Sequence, residues 1–487
     1  MFDLMKKMLQ RALKESECEQ AEIYGERGDV LSVDLERSEV KKVKHIKSTG
    51  VGVRVVVSKK IGFSYTTALD EASVEKCVEQ AVKQARVSEQ DPDFPGLPAP
   101  AAASKRKRSN RYTKPEKTFD ARIVELLGSE GGCEDAIKCC REMLAGTEEC
   151  EVSREVSREV SREVSRGAKR GVKCSPTEGS FAAAHSETFV LNSEGAEASD
   201  AGTFVSAGIA VVASENKGEE TSGWESKASR ALSELDFQWV GREAVKMAVG
   251  SLGGKRLKTA EIPVVFSPRA LQSLFAYTLI PQLNAENVQR KQSPYHDKKG
   301  EVVGSEILTI VDDGTTPSGL NSRKMDGEGV PSQATTLVEN GVLKNFLYDS
   351  YTAAKDDTES TGNATRGFDN LPSPGATNFI LSGGGGSGSR RGSRASKEEM
   401  LGEIREGLFV SDLIGAHTAS RASGDFSVVA QNAFGVRNGE LYPVAQVMLS
   451  GNTQEVLRRV ELFGTDTRQI YNLVSPSVKV SKVQVVS

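Results

Sequence analysis

Residues 2–15 repeat apolar side chains at helical spacing, with Phe2, Met5, Met8, Leu9, Ala12 and Leu13 on one side, which predicts an opening amphipathic helix. The period then changes. Segments near 20–26, 29–36, 40–47, 50–57 and 61–67 are short, rich in Val, Ile and Tyr, and separated by Gly or polar residues. They predict an antiparallel meander with turns at Gly28-Asp29, Ser48-Thr49-Gly50 and Lys59-Lys60. Val74, Cys77, Val78, Ala81, Val82 and Ala85 return to the helical period behind Asp70 as N-cap, a helix able to cover that sheet.

Helical patterns resume at 119–128 and 133–145, and strand patterns at 179–191 and 203–213. A helix from about 236 stops at Gly253-Gly254, and a domain boundary is placed just before it. The strand Ile262–Phe266 then leads through Ser267 as N-cap and Pro268 at the first helical position into a helix. Beyond it the chain is mainly β. Asn340-Gly341 and Asn438-Gly439 suit the positive φ of two-residue hairpin turns, a strand is expected at 377–381 and a helix at 397–407, and Val478 to Val486 alternate like a closing strand. The fold class is therefore α+β. The expected domains are an amino-terminal α+β domain (1–96), a linker (97–117), a middle α/β region (118–233) and a β-rich carboxy-terminal domain (234–487).

Three stretches read as inserts. Residues 105–117 are basic, 152–166 repeat Val-Ser-Arg-Glu within a 147–170 insert, and 382–396 are rich in Gly and Ser. The basic run reads as an exposed loop, and the repeat, which drifts around a helix at its strict period of four, as a solvated extension. Globally, 63 basic against 67 acidic residues give a formal charge of −4, which offers no field for nucleic acid or an anionic membrane. No run approaches the ~18 uninterrupted apolar residues of a membrane span. Seven cysteines without a CxxC pair, behind an amino terminus whose apolar positions are interrupted by charges, give a cytoplasmic expectation.

A zinc hydrolase helix carries two histidines one turn apart beside a glutamate, so that both imidazoles reach one ion. Here the four histidines, His45, His185, His296 and His417, lie more than a hundred residues apart, and HExxH and HExxxH are absent. Gly383-x-Gly385-x-x-Gly388 matches a dinucleotide fingerprint only by letter, because Ser389–Ser396 postpone the helix that would hold a pyrophosphate. Neither a P-loop nor a GxSxG elbow is present. Asp312-Asp313, with Asp326 and Glu328 in Met325–Pro331, offers carboxylates for a hard cation or an acid/base pair. Beside Gly and Pro they read first as turn caps, and Gly362-Asn363 as a tight loop.

Five ordered segments resemble the TldD/PmbA family, once described as modulators of DNA gyrase and now regarded as peptidase components. They are Gly50–Arg54 with Gly62-Phe63 and Ala85-Arg86; Leu191–Gly195; Ser305–Asp313 with Met325–Pro331; Leu337–Leu343 with Tyr348–Tyr351 and Thr361–Asn363; and Ser423–Ser427 with Asn438-Gly439, Pro443 and Ser450–Asn452. The resemblance implies an amino-terminal α/β domain with a mostly antiparallel sheet and covering helices, a β-rich, barrel-like carboxy-terminal domain, and a dimer of similar chains enclosing a cleft. In TldD-type members a central helix bears HExxxH and a later cysteine completes the zinc site. Here that helix is Arg269–Leu283, which has no histidine, and no cysteine follows Cys174.

The resemblance thus implies a PmbA/TldE-type subunit with no metal or other cofactor of its own and not catalytic alone. It would pair with a TldD-like subunit that supplies zinc, shape a cavity for an unfolded peptide, and form a homodimer when isolated. Membrane and nucleic acid are not expected partners. A non-proteolytic regulator of the gyrase-modulator type is the alternative, and a non-metal hydrolase built on the Asp312, Asp313, Asp326 and Glu328 cluster a third reading. Asp313, Asp326, Glu328, Asn363 and Asp425 are the candidate cleft or structural-motif residues.

Overall fold

The computed structural model describes residues 1–14, 17–99, 114–148, 172–215, 218–384 and 394–487. The Val-Ser-Arg-Glu repeat, the basic residues 105–113 and Gly385–Gly392 lie outside the described residues.

Helix α1 (Phe2–Lys14) precedes three long strands, β1 (Gln20–Glu36), β2 (Glu39–Val57) and β3 (Lys60–Thr66). The turns expected at Gly28-Asp29 and Ser48–Gly50 are absent, because Gly28 pairs directly with Ser48 in a continuous β1–β2 ladder. Helix α2 (Glu71–Val87) starts at Asp70, whose side chain accepts from the Ser73 amide at 3.0 Å. After α3 (Ala121–Gly128) and α4 (Gly132–Glu148), strands β4 (Lys173–Asn192), β5 (Glu197–Ser214) and β6 (Glu220–Ser229) complete a six-stranded antiparallel sheet ordered β3-β2-β1-β4-β5-β6.

Strand periodicity gives the sheet two unlike faces. Ala21, Ile23, Leu31, Val33 and Leu35 of β1 are buried in two clusters under helices. One cluster holds Met5 and Met8 of α1 and Val78 and Ala81 of α2; the other holds Ile123 of α3 and Met143 of α4. Helix α5 (Phe237–Gly250) joins the second through Val240, Ala244 and Val245, so it packs on the amino-terminal sheet although the predicted boundary precedes it. Glu22 and Tyr24, on the other face, meet the carboxy-terminal half.

That half opens with β7 (Ala260–Phe266) and α6 (Pro268–Phe275), capped by Ser267 as expected. Helix α6 ends earlier than the sequence pattern suggests, and a short helix Leu279–Gln282 follows. Strands Ala260–Phe266, Glu406–Ile414, Asp425–Arg437, Val447–Asn452 and Val478–Val486 form a closed five-stranded barrel, shut where the last strand pairs with β7. A second sheet contains Leu308–Asp313, Ala334–Glu339 and Phe379–Gly383. Asn340-Gly341 and Asn438-Gly439 turn their hairpins with φ of 50° and 77°, and 49° and 83°, as their sequence demands. The expected helix at 397–407 is confined to Lys397–Gly402.

Candidate functional site

Three features stand where the halves meet. The first is a buried charge cluster. Glu22 and Arg54 are cross-strand neighbours on β1 and β2, and each side chain projects from the face opposite the helices. Arg54 Nη2 donates to Glu22 at 3.0 Å and to Glu328 at 3.2 Å, while Arg366 Nη1 donates to the other Glu22 oxygen at 2.5 Å. Burial pushes the Glu22 carboxyl up, but the two guanidiniums outweigh it and hold the group below the ordinary carboxylate range. Arg366 lies over the Tyr24 ring at 4.8 Å and the Phe63 ring at 6.0 Å, so aromatic faces meet much of its charge. The loop carrying it sits in a saddle: a Cβ on Gly52 would come within 2.3 Å of the Phe368 carbonyl.

The predicted acidic residues divide around this cluster. Asp326 accepts from the Glu328, Val330 and Ala364 amides, so it does cap a turn, and it also ties that turn to the next loop. Glu328 adds the Ser350 amide to its pair with Arg54. Burial raises both carboxyls, and the charge of Glu328 raises Asp326 further. Asn363 donates to Asp312 at 2.7 Å, and Thr377 holds Asp312 through its amide and hydroxyl; burial nevertheless raises the Asp312 carboxyl.

Asp313 makes a local turn with Thr315 and stands apart from that bond set. Asp425 is exposed and held by Asn452 and Ser423, which depress its carboxyl. With Asp312, Asp326 and Glu328 buried and engaged by donors, the cluster supplies no free acid/base pair to a substrate. Glu22, Arg54 and Arg366 went unread in the sequence; their only local signal is charge inside apolar strand runs such as Ala21-Glu22-Ile23 and Val53-Arg54-Val55.

The second feature lies on α6. Arg269 and Gln272 are buried there; Arg269 is paired with Glu225 of β6 and bonded to Ser226. Arg468 reaches the same carboxylate at 3.1 and 3.2 Å and covers the Trp239 ring at 5.2 Å. Burial raises the Glu225 carboxyl, and Arg269 and Arg468 together bring it below the ordinary range. Ser273, one residue beyond Gln272, donates to Asp412 at 2.7 Å. A guanidinium, an amide and a hydroxyl are not the donor set zinc takes, which is thiolate, imidazole or carboxylate, so α6 does not fit that ion.

The histidines stand elsewhere in pairs: His45 with Asp29, His185 against Phe119, His296 with Asp297 and His417 beside Tyr277. Among the described residues no group of three or more His, Cys, Asp or Glu is placed to hold a metal. No described helix is long and apolar enough to cross a membrane.

The third feature is a cleft of about 440 Å³ between the edge of β6 and the barrel, lined by Glu220–Ser222, Ile414, Val429–Ala433 and Val444–Gln446. Asn432 lies within the strand Asp425–Arg437 at φ 49° and donates to the Ser222 carbonyl at 2.6 Å and to Ser251 at 2.9 Å. The Ser222 carbonyl therefore faces outward from the sheet, and by strand geometry the Glu220 backbone faces the same way.

Family models described as PmbA/TldA metallopeptidase domain 1, central domain and C-terminal domain match residues 21–85, 135–252 and 259–487. Uncharacterized protein MJ0231 of Methanocaldococcus jannaschii is 31% identical, with 92% of each chain covered. Metalloprotease PmbA of Escherichia coli O157:H7 is 26% identical over 96% of this chain and 92% of its own. In fold, the chain is similar to TldE from Thermococcus kodakarensis, with a TM-score of 0.82 at 24% identity over 99% and 100% of the two chains. A putative modulator of a DNA gyrase from Thermotoga maritima gives a TM-score of 0.81 at 24% identity over the full length of both. Matched along nearly its whole length, this chain belongs to the PmbA/TldD metallopeptidase family.

Proposed function

We propose that this chain is the TldE-type subunit of a zinc peptidase complex, without a metal of its own, that shapes a cavity for unfolded peptides while a TldD-like partner holds the zinc. The observation that carries the reading is α6, where the resemblance places the metal-binding helix of TldD-type members and where Arg269 is instead bound to Glu225. Two cations on one buried carboxylate make this a structural joint between β6, α6 and the segment at Arg468.

The cleft beside it supports the peptide role. The outward backbone of Glu220 and the Ser222 N–H, beside the Ser222 carbonyl that Asn432 already occupies, offer an extended chain the pairing that a sheet edge gives a new strand, and Ile414 and Val429 supply apolar wall. Such pairing needs a peptide free of its own secondary structure, which selects unfolded substrates. Zinc in the partner would lower the pKa of its bound water and polarise the scissile carbonyl. In this reading the present chain orients the peptide and excludes bulk water from one side of the cavity.

Co-purification with a TldD-like chain from the same cell tests the proposal, with metal analysis and peptidase assay of the complex and of each chain. The expected result is a stable complex with zinc in the partner and cleavage by the complex only. Zinc and full activity in this chain alone would overturn it.

A further inference from the structure

The half-buried Arg323 has no ion-pair partner among the described residues, although its charge lowers the Asp326 and Asp312 carboxyls from a distance. Its Nε and one Nη are shielded from solvent and meet no hydrogen-bond acceptor, and no described carboxylate lies within ion-pair distance. Arg366 also has unpaired N–H groups, but it carries Glu22 on its remaining nitrogen and aromatic rings against its plane. Among the described residues, Arg323 has neither a carboxylate on a nitrogen nor a ring against its plane. N–H groups of a charged side chain shielded from water without an acceptor are costly, so the arrangement calls for a physical reason.

Arg323 lines a cavity of about 120 Å³ between the helix-free face of the sheet and the segment Ser322–Gly327. Ser186 and Thr188 of β4 add hydroxyls, Tyr24 and Met325 add apolar wall, and Ser186 is exposed, which gives the cavity an opening. The other charged lining groups are already engaged. Arg230 gives its N–H groups to the carbonyls of Gly319, Thr203 and Ser322. Asp200 accepts from the Lys324 and Ala201 amides, and Asp326 from three backbone amides.

The same bonds fix the segment that carries Arg323. Its own amide donates to Gly314, Lys324 is tied to Asp200 at 2.7 Å, and Ser322 is held by Arg230 and by its bond to Thr316. The backbone that carries the fork is thus fixed before any ligand arrives, which lowers that part of the cost of binding.

We propose that this cavity is a carboxylate-binding site in which Arg323 receives the two oxygens side-on through Nε and Nη2, with the Ser186 and Thr188 hydroxyls alongside. A planar carboxylate matches that fork, as a single-point acceptor such as a carbonyl does not. The volume admits the carboxylate and a small substituent, which fits either a free small acid or the end of a peptide chain. The site is independent of the partner's zinc and of the β6 cleft.

The test is calorimetric titration of the purified full chain with acetate, N-acetylglycine and N-acetylglycinamide at matched ionic strength, repeated on Arg323→Lys and Arg323→Gln. The expected result is binding of one or both acids, no binding of the amide, at least a tenfold loss in Arg323→Gln, and a partial loss in Arg323→Lys, which keeps the charge but not the fork. Acetate as tight as N-acetylglycine identifies a free small acid, and N-acetylglycine markedly tighter identifies a chain end. Equal binding of acid and amide by the unaltered chain, binding unchanged in both variants, or a structure in acetate showing water alone beside Arg323 would overturn the proposal. The acid-to-amide comparison on the unaltered chain decides the matter even where a variant fails to fold.

Discussion

Glu22 and Arg366 stand 344 positions apart in the chain and meet in an ion pair whose two side chains have no exposure. With Arg54 on the other oxygen, this pair bolts the amino-terminal sheet to the carboxy-terminal half. Removing one partner leaves the others charged and buried. Glu22→Ala is therefore expected to cost about 3–5 kcal/mol, measured by equilibrium denaturation. Glu328→Ala should cost less, because Arg54 keeps Glu22. Equal stability of Glu22→Ala and the unaltered chain would refute the bolt.

Glu225, like Glu22, contributes to an acid limit. Its folded-state carboxyl lies below the ordinary 4.5 because Arg269 and Arg468 outweigh burial. A depressed carboxyl contributes stability that is complete above the unfolded value and is lost as pH falls through the folded one. The unaltered chain should weaken steeply on acidification below about pH 5. Glu225→Gln should start ~3 kcal/mol lower near neutrality and lose less on the same descent. Asp312 has the opposite sign, since its raised carboxyl favours folding at low pH, and cannot produce this limb. Parallel acid profiles for the two proteins would exclude Glu225 as one of its sources.

Gly52 should tolerate no side chain. A methyl there would strike the Phe368 backbone, and backbone cannot swing aside as a side-chain tip can. Gly52→Ala is expected to lose ~1–3 kcal/mol by denaturation. Gly128→Ala, with nothing within 4 Å of its Cβ, should be neutral or slightly stabilising.

Asn432 pins the barrel to β6, so its removal bears on the peptide cleft and spares the buried clusters. In the proposed complex, once reconstituted with a TldD-like chain, Asn432→Ala should raise KM for an extended peptide by about three- to tenfold, the worth of a hydrogen bond, with kcat little changed. An unchanged KM would remove this cleft from the peptide path.

Local chemistry was legible where it is decided locally. Asp70, Ser267-Pro268 and the two Asn-Gly turns were read because a cap or a positive φ involves residues only a few positions apart. Gly28 and Ser48 misled for the converse reason: each looks like a turn alone, and only their pairing across β1 and β2 makes them strand residues. At the seam, Asp326, Glu328 and Asn363 stood out through their loop context. Glu22, Arg54 and Arg366 did not, because their meaning lies in contacts made across 32 to 344 positions. The Arg323 cavity was invisible, since N–H groups left without an acceptor have no sequence signature.

The barrel's closing bond, between the strand Val478–Val486 and β7, also imposes an order in time. At the ~5–20 residues per second of protein synthesis, β7 emerges from the ribosome roughly ten to forty seconds before the strand that shuts it. The six-stranded sheet has a shorter wait of its own, between β1 and β4, but its last strand ends at Ser229 and the ladder is complete before β7 emerges. During that interval a folded first half trails an open row of backbone groups. Chaperone protection of the nascent chain therefore matters most between the completion of the sheet and the arrival of residues 478–486.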